Sequence, residues 1–261
     1  AHNALRAHGR AVQMLRQYTE QPLTIGYAPT SGIIYPASEK PEDIEAARQK
    51  YFSMPEGDAD WTGNVAWWSD PVLLGHYPEE GLTRYEKYLP KITEEDMRLI
   101  SEPIDVYGQN IYNGRAFHMG EDGRPEETDR APGYAKTAVN WPVTPECLYW
   151  GPRFLYERYH KPIYITENGM ACHDTVSLDG KVHDPNRIDF LARYLHELKR
   201  AADETDLRGY FQWSLMDNFE WEKGYAERFG MVYVDFETQE RILKDSAYWY
   251  RDVIRTNGKE L

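Results

Sequence analysis

The segment Ile163-Tyr164-Ile165-Thr166-Glu167-Asn168-Gly169 is the clearest indication of the fold class, because it joins an apolar strand to the turn that ends it. The first residues form a short apolar run, and Asn-Gly is a typical turn dipeptide. Helix-forming sequence precedes the segment over residues 145–159 and follows it over residues 187–204. A strand between two long helices is typical of βα units in a parallel sheet with right-handed crossovers.

The same alternation extends in both directions from this segment. The sequence predicts helices over residues 3–19, within residues 41–65 and over residues 245–254. It predicts strong strands over residues 23–28, 104–110 and 209–214, and a last strand-like piece over residues 231–235. Residues 53–91 and 114–142 read as long loops on one face of the sheet.

Four strong strands of this kind leave two possible architectures. An open four-stranded parallel sheet would expose two edges, and no glycine-rich phosphate loop follows any strand, which disfavours a doubly wound nucleotide-binding fold. The alternative is part of a (β/α)8 barrel, an α/β fold with one helix after each strand. No internal repeat or linker divides the chain, so residues 1–261 are predicted to form a single domain.

Composition excludes several classes of partner. The 261 residues include 43 Asp and Glu against 30 Lys and Arg, giving a formal net charge of −13, and 41% of them are hydrophobic. A chain this rich in apolar residues folds despite its charge. Its negative field disfavours nucleic acid and anionic membrane surfaces, and we expect neither as a partner.

Three features of the sequence bear on location. Cys147 and Cys172, the only cysteines, are too few for a disulfide scaffold. The N-terminus lacks a signal-peptide core and an initiator methionine, and no apolar stretch approaches the length of a membrane span. We therefore expect a cytoplasmic protein whose chain begins after the start of its gene.

Two strand ends offer candidate chemistry. Glu167 follows a strand directly, and barrel enzymes place catalytic groups there, although a glutamate after a strand is more often only a polar loop residue. Residues 213–221, Trp-Ser-Leu-Met-Asp-Asn-Phe-Glu-Trp, follow another strand and place tryptophans around Asp217, Asn218 and Glu220. Sugars present apolar faces and hydroxyl rims, so aromatic platforms beside carboxylates favour a carbohydrate ligand over a purely structural tryptophan stripe.

No metal or cofactor is expected from the sequence. Cys172 and His173 are adjacent, but no third and fourth ligand accompany them at metal-binding spacing. The motifs of zinc proteases, serine hydrolases and P-loop nucleotide-binding proteins do not occur.

At these two strand ends the sequence resembles glycoside hydrolase family 1, the β-glucosidase family. The resemblance rests on residues 164–169 and 213–221, and on Gly224-Tyr225-Ala226-Glu227-Arg228-Phe229-Gly230 and the residues up to Asp235. It extends back through residues 107–112, Trp141, residues 70–78 and residues 7–12, so it covers essentially the whole chain. It implies a (β/α)8 TIM barrel, of which this chain supplies about the C-terminal half, from helix 4 through helix 8.

The resemblance also implies roles for individual residues. Glu167 corresponds to the nucleophile of a retaining β-glycosidase, with Asn110 and Tyr112 beside it. Trp213 would lie under the sugar as a platform, Glu220 and Trp221 would bind its outer hydroxyl groups, Trp141 would flank the leaving group and Phe229 would line the pocket. Because an anionic Glu220 would repel phosphate, the substrate implied is a neutral, non-phosphorylated β-glucoside or galactoside, or an oligosaccharide.

The family's acid/base motif, Thr-Phe-Asn-Glu-Pro, is missing from this sequence. Retention requires a second carboxyl group about 5–5.5 Å from the nucleophile, and this chain offers no residue for that role. One hypothesis is therefore a half-barrel whose open edges pair with a complementary N-terminal half or with another copy of itself. The other is a non-catalytic carbohydrate-binding or structural half-barrel. On either hypothesis, we expect the isolated chain to be inactive or very weak.

Overall fold

A computed structural model describes residues 1–55, 63–259 and 261. Its helices are α1 (His2–Tyr18), α2 (Pro41–Phe52), α3 (Val65–Leu73), α4 (Glu79–Arg84), α5 (Glu94–Ile100), α6 (Cys147–Tyr159), α7 (Pro185–Glu204) and α8 (Asp245–Thr256). Its strands are β1 (Gly26–Tyr27), β2 (Ile33–Pro36), β3 (Val106–Asn110), β4 (Gly114–Met119), β5 (Pro125–Glu127), β6 (Ile163–Asn168), β7 (Leu207–Gln212), β8 (Val232–Val234) and β9 (Arg241–Leu243). Within these described residues, no helix has the length and apolarity needed to cross a bilayer.

The main sheet has the strand order β1-β3-β6-β7, and every neighbouring pair is parallel. This spatial order follows the chain order without reversal. A doubly wound sheet reverses its order at a switch point, whereas the strands of a (β/α)8 barrel succeed one another around the barrel. The topology is therefore that of a barrel arc, with all carboxyl ends at one edge.

Two helices cover one face of this sheet and form its main core. Ile163 and Ile165 of β6 point toward α6 and α7 and are almost fully buried, as are Phe154 of α6 and Leu191 of α7. A second core lies where α1 packs against α3 and α5, around Leu5, Val12, Trp67 and Ile100. Helix α1 buries His2, Leu5, Gly9 and Val12, which recur every three or four residues, while Leu15 near its end is 51% exposed.

The prediction that residues 53–91 and 114–142 are long loops is wrong in part. Residues 63–91 contain α3, α4 and a 3-10 turn at Glu86–Tyr88, and residues 114–142 contain β4 and β5. Strand β4 pairs with β2 in parallel and with β5 in antiparallel orientation, forming a separate small sheet. The helix expected within residues 41–65 ends at Phe52, and residues 56–62 lie outside the described part of the chain.

Replacing Gly9 with alanine tests the packing of α1 on α5. A Cβ at Gly9 would lie 1.9 Å from the Leu99 carbonyl oxygen, so the helices would have to separate. Overpacking of this kind costs roughly 1–3 kcal/mol, which exceeds the gain in helix propensity of at most about 1 kcal/mol. We expect Gly9→Ala to lower the free energy of unfolding in urea. Gly32→Ala is the control, since a Cβ there meets nothing within 4 Å; equal destabilisation of both variants would contradict the packing argument.

Candidate functional site

Strand β6 places Glu167 at the carboxyl edge of the main sheet, where the residue is half-buried. Its register partner is Asn110, the last residue of β3. The Tyr112 hydroxyl donates a hydrogen bond of 2.6 Å to Glu167 Oε2. Burial, and then this bond to Glu167, raises the pKa of Tyr112, so the phenol remains a protonated donor. The contact fixes the orientation of one oxygen of the Glu167 carboxylate.

Asn110 is oriented by the strand beside it. Thr166 Oγ1 donates a hydrogen bond of 2.7 Å to Asn110 Oδ1. With its carbonyl oxygen turned toward Thr166, Asn110 directs its amide nitrogen the other way. An amide donor beside a carboxylate can bind a ligand hydroxyl group.

An aromatic wall stands beside these polar groups. The rings of Tyr112 and Trp141 meet edge to face with centroids 5.2 Å apart, and those of Trp141 and Phe229 lie 6.0 Å apart. Phe229 is 2% exposed and Trp141 is 36% exposed, so the wall is anchored in the protein and open on one side. A sugar ring or an aryl group can stack on such a surface.

The loop after β7 brings a second carboxylate toward the site. Trp213 Nε1 donates a long hydrogen bond of 3.4 Å to Glu220 Oε2. Burial raises the pKa of Glu220, the Trp213 bond lowers it, and the nearby carboxylates of Glu167 and Glu227 raise it further, with a net upward shift. Trp221 lies in the 3-10 turn after Glu220 and is 80% exposed.

The structure thus joins most of the residues singled out in the sequence into one cluster at the sheet edge. The contacts above link Asn110, Tyr112, Trp141, Glu167 and Phe229. Trp213, which contacts Glu220, joins them through its N–H, which donates to the carbonyl oxygen of the residue after Glu167 at 2.7 Å. Trp221 remains at the rim, on the surface. Whether these residues bind and cleave a sugar stays a prediction at this point.

Asp217 does not point toward a ligand, contrary to what its position among the tryptophans suggests. It is 4% exposed, and Lys244 Nζ donates to its Oδ1 at 2.8 Å while Arg228 Nη1 donates to its Oδ2 at 2.5 Å. The backbone N–H of Gly230 also donates to Oδ1 at 3.0 Å. Asp217 therefore anchors its loop to the segment that follows.

Lys244 and Arg187 extend this anchor into a buried charge network. Lys244 is fully buried, and its Nζ also donates to Asp174 Oδ2 at 2.6 Å. Arg187, at the start of α7 and equally buried, donates to Asp174 at 2.7 Å and to Asp184. Burial lowers the pKa of Arg187, but Cys172, Asp174 and Asp184 together raise it by more, so the guanidinium stays charged. Three cations, including Arg228, and three carboxylates balance one another.

The network joins the two loops that hold the candidate site. Asp174 lies seven residues after Glu167, and Asp217 lies between Trp213 and Glu220. The network could not be predicted from the sequence, because the two bonds of Lys244 that join these loops connect residues 27 and 70 positions apart and leave no local pattern. The only available signal was the presence of charged residues in segments otherwise rich in apolar ones.

The Cys172–His173 pair has no metal-site character. Burial is the largest of the effects that raise the pKa of the Cys172 thiol to about 11, and His173 is exposed. Over residues 1–55 and 63–259, no three histidine, cysteine or carboxylate side chains are grouped to hold a metal ion.

Comparisons with known proteins agree with this geometry. The sequence model described as Glycosyl hydrolase family 1 matches residues 1–259. Beta-glucosidase A of Thermotoga maritima is 43% identical over 261 residues, covering 99% of this chain and 56% of that protein. Aryl-phospho-beta-D-glucosidase BglC of Bacillus subtilis is 34% identical, covering 100% of this chain and 58% of that protein.

The fold of the chain also matches that of a solved structure. The beta-glucosidase from Thermotoga maritima in complex with glucoimidazole matches with a TM-score of 0.82 at 43% identity, over 98% of this chain and 56% of that chain. The chain spans little more than half the length of these relatives. Its parallel sheet is the C-terminal part of their (β/α)8 barrel, which confirms the predicted fold class.

Replacing Lys244 with methionine tests the charge network. The substitution keeps most of the side-chain volume but leaves Asp174 and Asp217 buried without their shared cation. Removing one partner of a buried charge pair typically costs about 3–5 kcal/mol, and we expect a loss of that order in the free energy of unfolding. Lys199→Met, at an exposed position of α7, is the matched control and should change stability by less than about 0.5 kcal/mol. A Lys244→Met protein as stable as the control would refute the role of the network.

Proposed function

Because the chain belongs to glycosyl hydrolase family 1, we propose that it supplies the nucleophile half of a retaining β-glucosidase active site. The observation that supports this most directly is the 2.6 Å hydrogen bond from Tyr112 to Glu167 at the carboxyl edge of a barrel sheet. We also propose that residues 1–261 form a single domain of that enzyme. Relatives that bear the name beta-glucosidase support the reaction class.

In this proposal, Glu167 attacks the anomeric carbon of the sugar. The carboxylate oxygen forms a bond to that carbon as the glycosidic bond breaks, and the electron pair leaves with the aglycone oxygen. Tyr112 holds the other oxygen of the carboxylate in place during attack. Water then attacks the same carbon from the face that the aglycone left, opposite Glu167, gives its proton to the acid/base carboxyl group and releases the Glu167 carboxylate, so that two inversions retain the configuration.

The remaining members of the cluster bind the sugar. Trp213 is the platform under the glycone, and Glu220 accepts hydrogen bonds from its outer hydroxyl groups with Trp221 at the rim. Trp141 flanks the aglycone and Phe229 closes the pocket wall. Asn110 donates to a hydroxyl group next to the reacting carbon.

Glu220 favours a neutral sugar over a phosphorylated one. A 6-phosphate placed against this carboxylate would meet another negative charge, in a protein whose formal net charge is already −13. The relative from Bacillus subtilis bears the name of a phospho-glucosidase, so the choice is a real one within the similar proteins. We propose non-phosphorylated β-glucosides or β-galactosides as the substrate class.

The acid/base carboxyl group is proposed to come from a second polypeptide segment. Protonation of the leaving group is typically worth about 10²–10⁴ in rate, and the Thr-Phe-Asn-Glu-Pro sequence that supplies the proton in the family is absent from these 261 residues. The isolated chain should therefore act only on substrates whose leaving group needs little protonation. A non-catalytic sugar-binding half-barrel is the competing function, since the aromatic wall and Glu220 require no acid.

Covalent labelling separates the two functions. A 2-deoxy-2-fluoro-β-glucoside with a dinitrophenolate leaving group forms the glycosyl-enzyme without an acid, so the chain should gain one fluoroglucosyl mass on Glu167. Glu167→Gln should not be labelled, because it lacks the anionic nucleophile, while its circular dichroism remains unchanged. Glu222→Gln, at an exposed position, is the control and should label normally. Binding of the sugar without any labelling would instead favour the non-catalytic function.

A second experiment concerns the partner, a complementary half-barrel or another copy of this chain. The sheet face opposite the helices bears a hollow of about 200 Å³ lined by Gly26, Val106, Gly108, Thr166 and Phe211, among others. Phe211, on β7, is 57% exposed there, and an open strand next to an apolar face favours pairing.

We expect sedimentation to show association of the chain with itself, or with the family's N-terminal segment that contains Thr-Phe-Asn-Glu-Pro. Phe211→Ser should weaken it, because the substitution removes apolar area from the face. Leu178→Ser, on an exposed loop, is the control. A chain that stays monomeric at every concentration and does not bind that segment would contradict the proposal.

A further inference from the structure

Strand β6 has one extra residue near Glu167, relative to its neighbouring strands β3 and β7. On one side, Gln109 pairs with Ile165, but the next residue of β3, Asn110, pairs with Glu167. On the other side, β7 advances two residues, from Tyr210 to Gln212, while β6 advances three, to Asn168. The extra residue interrupts the regular ladder on both sides of Glu167. Backbone pairing alone therefore does not fix the candidate nucleophile.

The side chain of Asn168 bridges this interruption. It is fully buried, and its Nδ2 donates to the Ile111 carbonyl oxygen at 2.8 Å while its Oδ1 accepts from the Tyr210 hydroxyl at 2.7 Å. One amide thus reaches both neighbouring strands, the end of β3 and the middle of β7. In a buried setting without competing water, such bonds are stronger than at the surface.

The backbone around Asn168 connects the same partners to the reacting groups. The Trp213 N–H donates to the Asn168 carbonyl oxygen at 2.7 Å, and the Ile111 N–H donates to the Glu167 carbonyl oxygen at 2.9 Å. Tyr112, the donor to Glu167, follows Ile111 directly in the chain. Movement of Asn168 would therefore displace Glu167, Tyr112 and Trp213 relative to one another.

We propose that Asn168 is the positioning residue of this site, holding the nucleophile, its tyrosine partner and the sugar platform in one frame across the irregular pairing of β6. It touches no substrate and acts through Ile111, Tyr210 and Trp213. The expected effect of Asn168 on the rate of reaction at Glu167 rests on the proposed function. Its effect on the positions of Glu167, Tyr112 and Trp213 rests on the geometry alone.

Asn64 provides a matched control for a purely structural asparagine. It is also buried, at 9% exposure, and also uses its amide twice: Nδ2 donates to Ser53 and Oδ1 accepts from Trp67. It caps α3, outside the candidate site. Loss of Asn64 should therefore lower stability without changing the geometry at Glu167.

The test compares Asn168→Ala, Tyr210→Phe and Asn64→Ala in the 261-residue chain, using the 2-fluoroglucoside as the labelling probe. Because displacement of a reacting group by about 1 Å can cost about 10²-fold, we expect Asn168→Ala to lower the saturating labelling rate constant by about that factor. The half-saturating concentration should change less than about threefold, since binding contacts remain. Tyr210→Phe, which removes one of the two side-chain bonds and should fold, is expected to lose about tenfold. Asn64→Ala should label at the wild-type rate although urea unfolds it earlier.

Two labelling results would overturn the proposal. One is an Asn168→Ala or Tyr210→Phe protein that labels at the wild-type saturating rate. The other is an equal loss of rate in Asn64→Ala, which would make the effect one of general stability.

If the wild-type chain is not labelled at all, the proposed function fails, and crystal structures then decide the inference. In a crystal structure of Asn168→Ala or of Tyr210→Phe, the Tyr112–Glu167 hydrogen bond should be lost. In a crystal structure of Asn64→Ala it should be kept. Retention of the bond in a variant at Asn168 or Tyr210 would overturn the positioning role.

Discussion

Parallel pairing in the main sheet is the constraint on which the candidate site depends. When neighbouring strands run in the same direction, their carboxyl ends meet at one edge, so residues far apart in the chain become neighbours without any dedicated contact. Asn110 at the end of β3 and Glu167 near the end of β6 are register partners for this reason. The loop after β7 then starts at the same edge and brings Trp213 and Glu220 to the same place.

Much of this arrangement could be predicted from the sequence. Helices α1, α6, α7 and α8 and the strands of the main sheet lie within a few residues of their predicted limits, because each buries one face or lies between long helices. The candidate residues at strand ends follow from the same alternation. Their contacts also fit the family resemblance, although their roles in binding and catalysis remain predictions.

The parts that could not be predicted have physical reasons of their own. Helix α3 is buried on nearly all sides, so it has no polar face to produce a helical period, and Pro71 lies inside it. Helix α5 did have a local signal, the capping box of Thr93 and Asp96, but it extends for only seven residues. The charge network around Lys244 could not be found at all, because charged residues are expected at the surface and these pair across long separations.

The extra residue in β6 also has a consequence for the direction of side chains along the strand. In a regular strand, residues alternate between faces, so Glu167 would share the side of Ile163 and Ile165, which is buried against helices. A carboxylate there would be desolvated and without a partner. One added residue changes the parity of the strand: Asn168, whose amide can satisfy its hydrogen bonds internally, takes the helix-facing place, and the acidic group is left at the open edge. Regular pairing of β6 with every residue kept would thus turn the acidic group toward the helices, so the polarity of the strand end depends on the register of the strand and not on its composition.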